Sequence, residues 1–168
     1  MSDQASALTA QFRQMNAEVI RFAQECSPDD WRRMVPHEGR SVAYLIDHVA
    51  WGYGVERKAI LANLTAQAPL LASDEFPHTW AVEDVHAMNA ARWEDHPYPD
   101  REATIQRLRT AGEDMARFIA GLSGQDLECT ITYGYLAMPA AAFIERIVIE
   151  HPGTHLREIA QEFAGTLQ

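Results

Sequence analysis

Phe12, Met15, Val19 and Phe22 recur at three- and four-residue steps. That spacing marks one face of an α-helix and predicts a first helix from about Asp3 to Gln24. SPDDW breaks the pattern, Trp31 to Pro36 reads as a connector, and HEGR carries turn chemistry. Ser41 stands where an N-cap belongs for a second helix, SVAYLIDHVAWGYGVERKAILANL, with Leu45, Ile46, Val49, Tyr53 and Ile60 on its apolar side. The early part of that helix is apolar nearly all round, which predicts deep burial. Gly52 and Gly54 weaken it slightly and leave room for close packing.

TAQAPLLASDEFPHTW reads as a long connection. Thr79 is placed to cap a helix through VEDVHAMNAARWED, PYPD punctuates, and Asp100 caps REATIQRLRTAGEDMARFIAGL. There Ile105, Leu108, Met115, Phe118 and Leu122 keep helical spacing. In SGQDLECTITYGYLAMP, the alternation of Ile131, Tyr133 and Tyr135 around Gly134 predicts a small hairpin-like excursion. The last helix, AAAFIERIVIEHPGTHLREIAQEFAG, begins near Pro139. The expected fold is one all-α domain. It has four principal helices, an extra helical piece between the second and third, and a crossover long enough to let those two run parallel.

Composition narrows the function. The chain has 168 residues, 47% of them apolar, and a net charge of −10 from 24 acids against 14 bases. Ordinary globular composition argues against wholesale disorder. The acidic balance removes the attraction and counterion release that drive binding to phosphate backbones, so a nucleic-acid partner is not expected. Nor is attraction to anionic membrane surfaces. Cys26 and Cys129 make no disulfide framework and read as reduced residues of a cytoplasmic protein. No secretory leader and no membrane-spanning run is expected.

The candidate chemistry lies in histidines. His151 and His155 are one helical turn apart, a rise of about 6 Å, so both rings can reach one metal ion. An HxxxH pair alone is weak evidence, but this one continues an inward stripe of Ile144, Ile147, Val148, Ile159 and Phe163. Two neighbouring buried imidazoles need partners for their ring nitrogens, and a metal supplies one. His48, on the buried second helix, is the third candidate, since bundle cores build metal sites from facing helices. His37, His78, His86 and His96 read as surface residues. Pro152, between the paired histidines, leaves two readings open: a kink that tunes how the rings converge, or a helix that ends and restarts at Gly153.

Other residues carry weaker signals. Glu150 is a rival ligand but lies about 140° round the helix from His155. Asp47 reads as solvent-facing, with an acceptor role toward an imidazole N–H as the sharper option. Asn89 is a candidate for the pocket wall. Trp51, Trp80 and Trp93 read as core or pocket wall, and Tyr133 and Tyr135 as edge packing, with lining of the site mouth from the hairpin as the sharper option. Arg157 reads as a surface arginine. No general base stands out.

Trp31 and Pro36 before the second helix, the GRSVAYLIDHVAW segment, the β-like excursion and the terminal IEHPGTHLREI together resemble the DinB-like (DinB/YfiT-like) metalloenzyme superfamily over most of the chain. Pro152, and Leu156 and Arg157 after the last histidine, depart from its pattern. The resemblance implies a four-helix bundle of up-down-down-up topology and a divalent-metal triad of His48, His151 and His155. Imidazole suits Zn, Ni or Fe. It further implies a thiol-dependent transferase using a low-molecular-weight thiol, and a homodimer. Hydrolysis of a small molecule is the second chemistry; a non-catalytic metal-binding stress protein and a purely structural bundle are the other readings.

Overall fold

A computed structural model describes residues 2–65, 82–134 and 136–165. Helices dominate, with two small two-stranded sheets, in line with the all-α expectation. The element order is α1 (Asp3–Glu25), α2 (Pro28–Arg32), β1 (Met34–Val35), β2 (Arg40–Ser41), α3 (Val42–Leu64), α4 (Val82–Asp95), α5 (Arg101–Gly121), α6 (Gly124–Glu128), β3 (Thr130–Tyr133), β4 (Leu136–Pro139), α7 (Ala140–Phe143), a π-helical segment (Ile144–Glu150) and α8 (His151–Gly165).

The predicted caps form. Ser41 Oγ accepts from the Tyr44 amide at 3.1 Å, and Asp100 Oδ1 from the Ala103 amide at 2.8 Å. Each satisfies one of the orphan donors at a helix start. Thr79, Trp80, His78 and Tyr135 lie outside the described residues. SPDDW, read as a break, opens the short helix α2. Ser27 caps it, Pro28 occupies its first turn, and Asp29 and Asp30 face the positive end of its dipole. The hairpin forms as expected, with Ile131 opposite Met138 and Gly134 at φ 58°, a left-handed value that favours glycine.

Helix α5 packs against both α1 and α3. Leu108, Met115 and Ile119 of α5 are buried with Phe12 and Val19 of α1 and with Leu45, Ile46 and Ile60 of α3. Full burial of each such side chain stabilises the fold by roughly 1.5–3 kcal/mol. The α1–α5 approach is close at Gly112, where a Cβ would fall 2.9 Å from Asn16 Cγ. Asp47 overturns its solvent-facing expectation. It is 2% exposed and ion-paired to Arg92 of α4 and Arg107 of α5, and it accepts from Thr104 Oγ1 at 3.1 Å. One carboxylate thereby ties α3, α4 and α5 together, and it is not spent on an imidazole.

The last three helical stretches run without a break from Ala140 to Gly165, so the helix does not end at Pro152. The His151 N–H donates to Arg146 C=O, five residues back. A proline inside a regular helix lacks an amide and collides with the carbonyl four residues earlier. The wider π turn ends just before Pro152 and relieves that collision. Pro152 and Gly153 are both buried. Any side chain at 153 would press on α1, since a Cβ there would lie 3.0 Å from Met15 Cε.

Candidate metal centre

His48 projects from α3, and His151 and His155 from the first turns of α8. The three rings converge. His48 is 5.7 Å from His151 and 5.8 Å from His155, centroid to centroid, and the α8 pair is 4.5 Å apart. One ring nitrogen from each lies within 4.8 Å of the others.

The nitrogens suit a cation. His155 Nδ1 lies 3.3 Å from Glu158 Oε2, so the carboxylate accepts its proton and the lone pair sits on Nε2. That Nε2 is buried and has no hydrogen-bond partner among the described residues, and neither has Nδ1 of His48. Buried polar atoms are seldom left unpaired, and an orphan on each of two converging rings points to a shared ligand. Burial lowers the His48 pKa to about 3, helped by the neighbouring His151 and His155. Burial, then His155, lowers that of His151 to about 4, against the pull of Glu158 and Glu38. Burial also lowers His155. All three are therefore neutral at physiological pH, the state a metal requires. Three neutral imidazoles with further positions open to a cavity fit a divalent transition metal.

His48 and His151 form part of the wall of a cavity of about 280 Å³. Trp51, Gly52 and Glu56 of α3 continue that wall, Met88 and Asn89 of α4 face it, and Tyr133, Leu136 and Ile147 complete it. Asn89, a candidate for the pocket wall, does reach it; its Oδ1 is buried with no partner among the described residues, and its backbone carbonyl accepts from Tyr44 Oη at 2.7 Å. Trp51 lines the cavity, with the Arg92 guanidinium over its ring at 5.0 Å. Trp93 sits one ring further out, edge-on to Tyr44 at 5.3 Å. Glu150 is exposed, as is Arg157, which donates to Thr154 Oγ1 at 2.9 Å. His37 and His96 are exposed as expected.

Two carboxylates escaped the sequence reading. Glu158 follows His155 by three positions in HLRE, the spacing of helical neighbours, and that signal was available. It also approaches His37 and Glu38 of the β1–β2 turn. Glu56 lies eight residues after His48, with Gly52 midway, on a helix whose apolar pattern drew attention to the core instead.

The DinB superfamily model matches residues 11–159. Among curated proteins and solved structures, nothing matches the chain.

Proposed function

Since the chain belongs to the DinB superfamily, we propose that it is a metal-dependent enzyme acting on a small molecule, with His48, His151 and His155 as ligands of one divalent ion, Zn, Ni or Fe. The observation that carries this reading is the convergence of three neutral imidazoles, two with buried nitrogens that have no partner among the described residues, beside a cavity that His48 and His151 help to line. The finer fold in this reading is a four-helix bundle, up-down-down-up, with α1, α3, α5 and the final helix as its members.

A divalent ion supplies an acidified thiol or water as nucleophile at neutral pH. The chain's own residues do the rest. Glu158 holds His155 in one tautomer, leaving its Nε2 lone pair for a ligand. Trp51, Met88, Leu136 and Ile147 shield an apolar substrate body from water. Thiol transfer to a small electrophile is the reaction class, following the resemblance; hydrolysis is the alternative outcome. A low-molecular-weight thiol is then the second substrate, and the functional unit a cytoplasmic homodimer.

Metal analysis of the purified chain beside His48→Ala tests the site. The wild type should hold about one ion per chain and the variant a small fraction of that. A wild type that takes up no zinc sinks the reading. Turnover is tested on small electrophiles with low-molecular-weight thiols, and a chelator should abolish it. Bound metal without turnover would favour a non-catalytic metal-binding protein.

A further inference from the structure

Glu56 is 7% exposed, and its Oε2 has no hydrogen-bond partner among the described residues. A buried carboxyl with an unpaired oxygen is costly and calls for an explanation. It does not belong to the histidine cluster, whose ligand atoms come from other residues. It does face the same cavity as His48 and His151. Side chains on a helix lean toward its N-terminus, and Glu56 folds back over Gly52, where a Cβ would stand 3.3 Å from its Oε1. The carboxyl therefore lies about one turn from His48 along α3, and the missing side chain at 52 keeps the space between them clear.

We propose that Glu56 is the acid–base group of this cavity, taking the proton from the S–H or O–H of a small ligand seated against the three histidines. This rests on the metal-site reading above. The proton passes from sulfur or oxygen to Oε2, and the bonding pair stays on the ligand atom. That atom forms its bond to a small electrophile as the electrophile's leaving group departs with its own pair. The leaving group then takes the proton from Oε2, which restores the carboxylate. The net change is one S–H or O–H bond and one bond to the leaving group exchanged for a new bond to the electrophile and a protonated leaving group.

Burial raises the carboxyl to about 8, close to the working range of a general acid–base group. Tyr53 on the same helix and Tyr133 from β3 are its phenolic neighbours. Both are pushed up, by burial first and by Glu56 second. His48 and His151 face it along the cavity wall. A divalent charge near the histidines would draw the carboxyl down toward neutrality.

The test follows the C=O stretch of the protonated carboxyl by infrared difference spectroscopy on the full chain. Glu56→Gln serves as the subtracted reference, metal-free and zinc-loaded, with 2-mercaptoethanol as probe. A band unique to the wild type should vanish as pH rises through about 8. With zinc its midpoint should fall by about one pH unit or more, and the thiol should shift the band. Gly52→Ala, which crowds Oε1 without removing the carboxyl, should move the same band. Zinc content is measured in every sample. About one zinc per chain with a band that neither zinc nor thiol moves overturns the proposal alone. No zinc in the wild type overturns the metal reading and the proposal with it.

Discussion

Glu158 Oε2 stands 3.3 Å from His155 Nδ1, one helical turn further along α8, while His155 Nε2 is buried with no partner among the described residues. The carboxylate fixes which nitrogen carries the proton, and so which can bind a metal. Glu158→Ala should weaken zinc binding about 10–100-fold, read by competition with a chromophoric chelator. Glu158→Gln, whose amide oxygen still accepts, should lose less. Equal affinity in wild type and Glu158→Ala would remove the carboxylate from the site.

Asp47 is buried beneath two guanidinium groups of unequal exposure. The Arg92 side chain is 19% exposed and that of Arg107 is 43% exposed. Removing the carboxylate leaves Arg92 partly buried without its counter-ion, so Asp47→Ala should cost about 3 kcal/mol in urea unfolding. Arg107→Ala should cost less than about 1 kcal/mol, because water already screens that pair. The loss at Asp47 should also free Arg92 from Trp51, visible as a change in tryptophan fluorescence.

The helices and their caps were legible because periodicity and cap chemistry are local. Ser41 and Asp100 act on amides three residues away. The histidine cluster was legible because two of its members share a helix and the third interrupts an apolar run. What was not legible depends on distance through space. Asp47 reads as a polar residue on a helix until Thr104 and Arg107, 57 and 60 positions later, come into contact with it. Glu56 resembles any helix carboxylate until α4, the hairpin and the last helix enclose the cavity it faces. The π segment depends on how Pro152 is accommodated, which spacing alone left open.

Gly112 should not tolerate a side chain. A Cβ there would drive into the Asn16 carboxamide, which donates to Leu108 C=O at 3.3 Å. Gly112→Ala should destabilise the chain by about 1–3 kcal/mol through overpacking, despite alanine's better helix propensity. Asn16→Ala in the same chain should recover much of that loss. A thermal melt in which Gly112→Ala alone is the more stable form would contradict the close α1–α5 approach.

Glu56 also makes a stability prediction of unusual sign. Its folded value, about 8, stands above its ordinary 4.5. Between those values the native chain holds a proton that the unfolded chain has lost, so stability falls as pH rises. The contribution is fully present below about 4.5 and gone once pH has passed about 8. Glu56→Gln should remove this slope, gaining on the wild type steadily through that window. The histidines, lowered on folding, slope the other way at acid pH, but they are common to both chains and cancel in the difference. Urea unfolding of the two metal-free proteins at several pH values measures it; a constant difference would mean the carboxyl is not held neutral.

Pro152 gives the remaining prediction, in which stability and metal affinity move in opposite directions. The π turn ending at Glu150 lets a proline sit inside a continuous helix, immediately after His151. Pro152→Ala restores an amide and removes the ring, so the preceding turn can tighten to ordinary α spacing. That should hold or raise the melting temperature of the metal-free chain, since an interior proline costs a helix about 3 kcal/mol. Tightening also re-aims His151 and His155 relative to His48 on α3, which does not move with them. Zinc affinity should therefore fall, by about tenfold on the scale typical of disturbed ligand orientation. If the variant melted lower and bound zinc as tightly as the wild type, the π turn would be a packing feature of α8 with no part in aiming the rings.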